Sequence, residues 1–235
     1  MSELRILALE TATDACSAAI TINGEIRERF DVAPRRHAAL LLPFVADLLA
    51  DAGLTVGQLD AVAFGCGPGS FTGLRIAAGM AQGIAFGAGL PVVPVSTLAA
   101  MAQCCVRERG AGAVLAALDA RMQAVYFGAF RRADDGLVLA AGDEVVCAPD
   151  IVPVLPAADW YAAGDGWSAH GPQMLARLPY RLAGLMDTAR PHAADVARLA
   201  AALFARGGAL PPDQAAPVYL RDHVAGKPGA GSLSR

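Results

Sequence analysis

The residues of this 235-residue chain whose types and spacing could do chemistry are concentrated between positions 65 and 75, in the stretch GCGPGSFTGLR. The apolar run 59–64 before it predicts a buried strand, and residues 76–87 after it predict a helix. A glycine-rich loop that enters a helix brings free backbone N–H groups close to a ligand, above all to a phosphate. The same loop also suits a tight turn against the chain's own sheet, with Ser70 or Thr72 as the helix N-cap. Both interpretations are open at this point.

The standard motifs for phosphate binding and nucleophilic catalysis are absent from this stretch. Gly67 and Gly69 match the first two glycines of the G-x-G-x-x-G dinucleotide fingerprint, but Thr72 stands where the third is required. The P-loop requires Gly-Lys-Ser/Thr, and no lysine is near. The hydrolase elbow requires a glycine two residues before and two residues after the serine, whereas Ser70 has Pro68 and Thr72 there. We therefore expect neither a dinucleotide site nor a serine nucleophile.

Two segments share the order strand, acidic residue, short turn, strand. The first, residues 7–20, has Glu10 as its acid, and the second, residues 115–130, has Asp119. A pattern repeated in two halves indicates a duplicated α/β fold. Actin-like and sugar-kinase-like ATPases are built from such units, whose hairpins hold ATP phosphates and magnesium across a cleft. We therefore expect a duplicated actin-like (ASKHA, ribonuclease H-like) α/β fold with two lobes, in which helices flank mixed sheets.

The chain is long enough for one large domain or two small ones. We expect an N-terminal lobe over 1–110, a smaller C-terminal lobe over 111–225 and a flexible tail over 226–235. Hydrophobic periodicity and turn residues predict strands over 4–9, 15–22, 25–32, 92–95, 113–118, 123–130, 137–146 and 160–163. They predict helices over 36–50 and 192–207, a helix capped by Ser96, and irregular or short-helical structure over 149–156 and 172–189.

The two acids and the glycine-rich loop together define a candidate vestigial phosphate site. Its residues are Glu10, Thr11, Thr13, Gly67, Gly69, Ser70, Asp119 and Arg121. In a working ATPase the acids would orient water or magnesium, and the threonines and Arg121 would line the phosphates. In a degenerate copy the acids would cap turns or pair with arginines. We favour the degenerate copy, because no lysine and no second glycine-rich loop for adenosine is evident.

Composition limits the classes of function. Hydrophobic residues make up 55% of the chain and charged residues only 17%, which predicts a sizeable core and little disorder. The net charge of −3 argues against tight nucleic-acid binding by this chain alone. Five cysteines without a Cys-x-x-Cys spacing, and no signal peptide, predict reduced thiols and a cytoplasmic location. The apolar residues 76–95 are interrupted by Pro91 and Pro94, so we expect no membrane span.

The sequence shows no metal site of the usual spacing. The four histidines stand apart, at positions 37, 170, 192 and 223, and none is four residues from another. No His-Glu-x-x-His metallopeptidase motif is present either. We therefore expect no bound metal and no catalytic residue in this chain.

Three glycines of the second predicted helix lie on one face, because Gly79, Gly83 and Gly87 are four residues apart. Glycine costs a helix about 1 kcal/mol relative to alanine, so three of them indicate the close approach of another element. That element is either the chain's own sheet or a helix of a second subunit. The first predicted helix has apolar residues on more than one face, including Leu40 and Phe44, which leaves a face for a partner.

Six blocks of residues resemble the bacterial TsaB (YeaZ) family, and they extend over nearly the whole chain. The blocks are ILALETA at 6–12, RH with LLLP at 36–37 and 40–43, GPGSFTGLRI at 67–76, PVSTL at 94–98, DARM with VY at 119–122 and 125–126, and PVYLR at 217–221. The block at 67–76 is the most diagnostic. One position departs from the family pattern, since Ala124 stands where a glutamate is usual before Val-Tyr.

The resemblance implies a subunit of the machinery that makes N6-threonylcarbamoyladenosine next to the tRNA anticodon. By this resemblance the chain is a non-catalytic scaffold and activator that pairs with the related subunit TsaD, which does the transfer, and with the ATPase TsaE. It further implies that two helices form the partner-binding surface, with Leu40, Phe44, Arg75, Gly79, Gly83 and Gly87. The same surface can form homodimers when TsaD is absent. No cofactor is expected on this chain alone; ATP or ADP would bind at the interface of the complex, and tRNA only through the complex.

Two other functions stay open. A stand-alone actin-fold ATPase or small-molecule kinase would bind nucleotide as an isolated chain and lose that binding in Asp119→Ala. A protein that binds tRNA directly would show a strongly salt-dependent affinity by this chain alone, which the acidic balance opposes.

Overall fold

Two β-sheets, each with helices on both faces, form the framework of the chain in the computed structural model, which describes residues 4–221. The first sheet has the order β3-β2-β1-β4-β5. Its strands are β1 (Arg5–Glu10), β2 (Ala15–Ile22), β3 (Glu25–Val32), β4 (Ala61–Gly67) and β5 (Val92–Ser96). The first three strands pair antiparallel, and β1, β4 and β5 pair parallel. Asn23 and Gly24 both have positive φ, as a two-residue hairpin turn between β2 and β3 requires.

The second sheet repeats the arrangement of the first. Its strands are β6 (Ala113–Asp119), β7 (Val125–Arg132), β8 (Val138–Ala140), β9 (Val145–Cys147), β10 (Trp160–Ala163) and β11 (Gly184–Met186). The order is β11-β10-β6-β7-β8, and β9 also pairs with β7. In the first sheet, β1 pairs antiparallel with β2 and parallel with β4. In the second sheet, β6 likewise pairs antiparallel with β7 and parallel with β10. The predicted duplicated α/β fold with two mixed sheets is confirmed.

Within residues 4–221, five helices cover the two sheets in a layered order. They are α1 (His37–Ala52), α2 (Phe71–Ala88), α3 (Thr97–Arg109), α4 (Asp165–Arg177) and α5 (Ala193–Ala205), and three short 3-10 turns lie at Val56–Gln58, Pro149–Ile151 and Pro212–Gln214. Helices α1 and α2 pack on the outer face of the first sheet. Helices α3 and α5 lie in the layer between the sheets, and α4 packs on the outer face of the second. The core is therefore three apolar layers separated by the sheets.

Helix α2 begins at Phe71, five residues before the predicted start at 76. Ser70 is its N-cap, because its hydroxyl accepts a hydrogen bond from the backbone N–H of Gly73 at 3.4 Å. Strand β4 continues to Gly67, so only three residues separate strand from helix. Of the two interpretations of this stretch, the tight turn with Ser70 as N-cap therefore describes its backbone, although the helix was expected to start later.

Two further predictions about local structure differ in detail from the structure. The region 172–189 was expected to be irregular or short-helical; residues 172–177 are the second half of α4, which begins at Asp165, and the rest is irregular except for β11. Burial of Trp167 and Met174 against the second sheet outweighs the local helix-breaking tendency, and the Trp167 indole N–H donates to Leu115 O at 3.0 Å. The single strand predicted over 137–146 is two strands, β8 and β9, which pair with different parts of β7.

The C-terminal part of the chain returns to the first sheet. Helix α5 contacts β1 and β2, and Val92 and Leu210 exchange two backbone hydrogen bonds of 2.8 Å each. The strands of the first sheet all precede residue 110, and those of the second sheet all follow it. Helix α5 and Leu210 nevertheless contact the first sheet, although they lie beyond residue 189. The division into lobes at 1–110 and 111–225 stays a prediction, and the expected tail at 226–235 lies outside the described residues.

The same substitution at two glycines of α2 is expected to change stability in opposite directions. A Cβ at Gly73 would overlap the carbonyl oxygen of Thr11, so Gly73→Ala should lower the free energy of unfolding by roughly 1–3 kcal/mol. A Cβ at Gly83 meets no atom within 4 Å, so Gly83→Ala should raise it by about 1 kcal/mol. Urea unfolding of the isolated chain measures both, and stabilisation by both variants would contradict the packing described for Gly73.

Candidate functional site

A cavity of about 1010 Å³ lies between the two hairpins that begin with β1 and β6. Its lining comes from the β1–β2 turn, the segment before α1, the start of α2, the β6–β7 turn, the start of α4 and the last described residues. The lining residues with ionisable or hydroxyl side chains are Thr13, Asp14, Arg35, His37, Ser70, Asp119, Arg121, Tyr126, Asp165, Tyr219 and Arg221. The two repeated units thus face one another across a cleft, as the duplicated pattern predicts.

The structure brings five of the eight predicted phosphate-site residues to this cavity. These are Thr13, Gly69, Ser70, Asp119 and Arg121. Glu10, Thr11 and Gly67 are buried beside it and do not line it. Their use as a phosphate site stays a prediction.

Glu10 is buried and turned into its own hairpin. Its Oε1 accepts a hydrogen bond from the backbone N–H of Ala12 at 2.6 Å, and its Oε2 accepts one from the Thr97 hydroxyl at 3.3 Å. Burial raises the pKa of Glu10 to about 7, and the hydrogen bonds from Ala12 and Thr97 oppose part of this rise. A Cβ at Gly65 would overlap this carboxyl group, which explains the small residue there. Glu10 therefore caps the turn of its own hairpin.

The glycine-rich turn packs against the β1–β2 turn of the same chain. The backbone N–H of Ser70 donates to Ala12 O at 2.7 Å, and the Thr11 hydroxyl donates to Gly73 O at 2.7 Å. A Cβ at Gly69 would lie 2.6 Å from Ala12 O, closer than any normal contact. The spacing of these glycines thus follows from the approach of the chain's own backbone, which supports a tight turn.

Gly67 is restricted from the other side by the segment around Val218. Its φ of 117° lies in a region that favours glycine, and a Cβ there would lie 2.7 Å from Val218 O. The N–H of Val218 donates to Cys66 O at 2.7 Å, so the segment around 218 runs alongside the end of β4. The PVYLR block therefore closes over the glycine-rich block.

Asp119 holds the β6–β7 turn together. It accepts hydrogen bonds from the backbone N–H of Arg121 at 2.9 Å and from the Arg121 guanidinium at 2.8 Å. His170 Nε2 lies 3.4 Å from Asp119 Oδ1. The backbone N–H of Asp119 donates to Asp165 Oδ1 at 3.0 Å. Burial raises the pKa of Asp165, and the nearby Asp119 charge raises it further. Asp119 is thus a turn-capping acid paired with an arginine.

The turn after Asp119 has an unusual backbone. Arg121, Met122 and Gln123 have φ of 61°, 53° and 56°, a left-handed conformation that is uncommon for residues other than glycine. Ala120 and Ala124 close it, since the N–H of Ala120 donates to Ala124 O at 3.0 Å. Position 124, where the chain departs from the family pattern, therefore contributes a backbone carbonyl that does not depend on its side chain.

The charges along the cavity are balanced. Three carboxyl groups, Asp14, Asp119 and Asp165, and three guanidinium groups, Arg35, Arg121 and Arg221, line it. Asp14 is also held by Arg190 from outside the cavity, through two contacts of 2.7 and 2.8 Å. The lining thus has equal numbers of carboxyl and guanidinium groups, and one of its carboxyl groups is already paired with an arginine outside the cavity.

The predicted glycine stripe faces outward. Gly79, Gly83 and Gly87 are exposed, and a Cβ at any of them would meet no atom within 4 Å. The interpretation in which these glycines pack against the chain's own sheet is therefore wrong, because residues such as Ala77 and Ala81 occupy the inner face of α2. The open stripe is a surface from which no side chain projects.

Helix α1 extends this surface. Leu40 and Phe44, one turn apart, are half-buried against the apolar layer beneath α1 and α2, and the two helices contact each other. We call the surface formed by Leu40, Phe44, Arg75, Gly79, Gly83 and Gly87 the α1–α2 face. At one end the Arg75 guanidinium lies 3.8 Å above the Phe71 ring and donates to the Tyr219 hydroxyl at 3.1 Å.

Phe86 adds an exposed apolar group next to this face. It lies one turn after Gly83 on α2, and 79% of its side chain is exposed. Exposed aromatic side chains beside a flat surface are typical of protein–protein contact regions. The α1–α2 face therefore has the composition of a docking surface.

The histidines are less isolated than their spacing suggests. His37 Nε2 lies 3.1 Å from Ala15 O, and His170 contacts Asp119 as described. His192 lies beside Cys104 and Glu108, a neighbourhood that the sequence spacing did not indicate. His223 lies outside the described residues.

Among residues 4–221 no helix is both long enough and apolar enough to cross a membrane. The apolar segment 76–95 is instead divided between α2 and β5.

Comparison with known proteins gives one consistent result. A family model described as TsaD, tRNA N6-adenosine threonylcarbamoyltransferase, matches residues 31–206. The chain is 41% identical to the tRNA threonylcarbamoyladenosine biosynthesis protein TsaB of Escherichia coli K12, with 95% of this chain and 97% of that protein covered. It is 40% identical to the Haemophilus influenzae protein of the same name, with 97% and 98% covered. The structure of YeaZ from Pseudomonas aeruginosa matches with a TM-score of 0.86 at 46% identity, over 94% of this chain and 100% of that one.

The raised pKa of Glu10 predicts a specific pH dependence of stability. Between its ordinary value of 4.5 and about 7, the folded chain keeps a proton that the unfolded chain has lost. The free energy of unfolding therefore falls as the pH rises through this window, and the fall ends above pH 7. In Glu10→Gln the group is neutral at every pH, so from about pH 5 to about pH 7.5 the variant should gain roughly 2 kcal/mol relative to the parent chain.

Urea unfolding across this pH range measures the difference, and Glu25→Gln, at an exposed residue of β3, is the control. The control should follow the parent chain. Parallel profiles for the parent chain and Glu10→Gln would show that Glu10 is ionised in the folded protein.

Proposed function

Because the chain belongs to the TsaB (YeaZ) family of tRNA threonylcarbamoyladenosine biosynthesis proteins, we propose that it is the non-catalytic scaffold and activator of the complex that adds the threonylcarbamoyl group to adenosine next to the tRNA anticodon. In this role it pairs with a TsaD-like subunit through the α1–α2 face and works with a TsaE-like ATPase. The transfer chemistry belongs to the partner, and tRNA is engaged through the complex.

The observation that carries this proposal is the open glycine stripe. Three glycines at four-residue intervals remove every side chain from one line along α2, and nothing in the described chain fills the space. Each glycine costs the helix about 1 kcal/mol relative to alanine, so the stripe weakens the isolated chain without any internal packing benefit. A partner helix whose backbone approaches closely along this line would provide that benefit.

The surroundings of the stripe suit a helix pair. Leu40 and Phe44 on α1 supply apolar area beside it, and Phe86 projects next to Gly83. Arg75 is held at the edge by Phe71 and the Tyr219 hydroxyl, where it can meet a carboxylate of the partner. An apolar centre with a charged residue at its rim is the usual arrangement of a specific interface.

The cavity supports a role without catalysis. Glu10 is buried in its own turn, Asp119 is held by Arg121, and the carboxyl and guanidinium groups that line the cavity are equal in number. No catalytic step is therefore assigned to these side chains. ATP or ADP, in this proposal, binds at an interface of the complex.

The same face offers a route to homodimers. A two-fold pair of α1–α2 faces would be self-complementary, because the stripe of one copy can receive the apolar side chains of the other. We propose that homodimers form when the TsaD-like partner is absent, and that the partner displaces them.

Gly83→Leu is expected to abolish pairing with the TsaD-like chain of the same host. The leucine would project into the space reserved for the partner helix and weaken the complex by roughly 100-fold or more, which corresponds to about 3 kcal/mol. The isolated variant should stay folded, because nothing lies within 4 Å of the added Cβ. Titration calorimetry and size-exclusion chromatography measure pairing and circular dichroism measures folding.

Ala169→Leu adds a leucine to an exposed helical position of α4, on the far side of the molecule, and is the matched control. It should pair normally. If Gly83→Leu is folded and also pairs normally, the α1–α2 face is not the partner-binding surface.

The alternative of a stand-alone actin-fold ATPase or small-molecule kinase has one observation in its favour. The cavity lies between the two hairpins and is lined by Thr13, Ser70 and Asp119. We expect the isolated chain to show no saturable ATP binding, with or without Mg²⁺, in equilibrium dialysis. Saturable binding that disappears in a folded Asp119→Ala variant would favour the enzyme over the scaffold.

A further inference from the structure

We propose that Cys104, Glu108 and His192 form a zinc site at the junction of α3 and α5, a site that goes beyond the proposed function. One ligand atom from each residue, a thiol sulfur, a carboxylate oxygen and an imidazole nitrogen, lies within 4.8 Å of the other two. Their sequence positions are too far apart for a recognisable zinc motif.

The fold brings the three residues together through two neighbouring helices. Cys104 and Glu108 are one turn apart on α3, so their side chains share a face. His192 is the N-cap residue of α5, and α3 and α5 contact each other in the layer between the sheets. Cys104 is buried, His192 is half-buried and Glu108 is exposed, so the cluster opens to solvent on one side. A metal ion has a route of entry there.

His192 has the carboxylate partner that metal-binding histidines usually have. Its Nδ1 lies 3.0 Å from Glu28 Oε2, and the other oxygen of Glu28 accepts a hydrogen bond from the N–H of Ala194 at 2.9 Å. The ring is also stacked on Phe30, with 4.2 Å between centroids. A carboxylate that accepts the proton of one ring nitrogen leaves the lone pair of the other for a metal. Glu28 is therefore a positioning residue.

Two of the three side chains already contact one positive charge, the guanidinium of Arg107. The Arg107 guanidinium lies 3.5 Å from Cys104 Sγ and 3.4 Å from Glu108 Oε1. Asp195, whose side chain is fully buried, holds the same guanidinium through contacts of 3.1 and 3.0 Å. If a metal ion bound Cys104 and Glu108, Arg107 would lose its contacts to them, and Asp195 would keep the guanidinium in place.

The local charge suits a dication. The carboxylates of Glu28, Glu108 and Asp195 exceed the guanidiniums of Arg107 and Arg198 by one negative charge. When zinc binds, the Cys104 thiol releases its proton to solvent and the sulfur forms a bond to the metal. The thiolate brings the excess to two negative charges, which a Zn²⁺ ion neutralises.

The donor set selects the metal. One thiolate, one imidazole and one carboxylate are ligands that zinc accepts in tetrahedral geometry, whereas magnesium and calcium prefer oxygen alone. Three protein ligands leave the fourth position to a water molecule. An ion there would link the middle of the chain to its C-terminal helix and stabilise the layer between the two sheets.

Cobalt spectroscopy of the full-length, chelator-treated chain tests the site directly. Co²⁺ occupies zinc sites, and coordination by a thiolate gives a charge-transfer absorption in the near ultraviolet. We expect one equivalent of Co²⁺ to produce this absorption and one equivalent of Zn²⁺ to abolish it. Cys104→Ser should lack the absorption, whereas Cys105→Ser, at the neighbouring buried thiol, should keep it.

A second pair of variants separates ligand from positioning residue. His192→Gln should lose zinc affinity in competition titrations with a chromophoric chelator, and Glu28→Gln should weaken it by about 10- to 100-fold while the charge-transfer absorption remains. Circular dichroism of the metal-free variants checks that each one is folded. Absence of the absorption in the parent chain, or zinc affinity unchanged in folded Cys104→Ser and His192→Gln, would overturn the site. None of these measurements involves the TsaD-like partner, so their outcome is independent of the proposed function.

Discussion

The contact between two backbone turns of the first lobe is the constraint on which the rest of the structure depends. The glycine-rich turn between β4 and α2 lies directly on the β1–β2 turn, where Ser70 N–H binds Ala12 O and the Thr11 hydroxyl binds Gly73 O. Side chains at Gly69 or Gly73 would collide with that backbone. Because the contact sets where α2 begins, it also sets the residues that α2 turns inward to the sheet and outward to solvent.

The same contact uses up polar groups that a ligand in the cleft would otherwise meet. Hydrogen-bonding groups of the glycine-rich block are used within the chain, Glu10 is enclosed in its hairpin, and Asp119 is used by Arg121. The cleft between the hairpins remains as a shape with balanced charge. The polar groups of both hairpins hold their own turns together, so the fold alone does not decide what the cleft does.

The helices on the two sides of the first sheet differ in their surroundings. Its outer layer, α1 and α2, carries an open glycine stripe that weakens the isolated chain, and a partner helix would offset that cost. Its inner layer, α3 and α5, is enclosed by both sheets, and residues from β3, α3 and α5 meet around His192. The proposed docking surface therefore lies on the outer layer, and the proposed metal site in the inner one.

The family, the duplication and many local elements could be predicted from the sequence, since strands 15–22, 25–32 and 160–163 have their predicted bounds. The strand bounds depend on side-chain alternation and turn residues within a few positions. The start of α2 at Phe71, the burial of Glu10 and the open glycine stripe could be seen only once the chain was folded. Each of these depends on residues distant in sequence: Thr11 O lies against Gly73, and the Thr97 hydroxyl against Glu10. Burial, charge and ligand geometry arise from such long-range contacts, which local patterns do not encode.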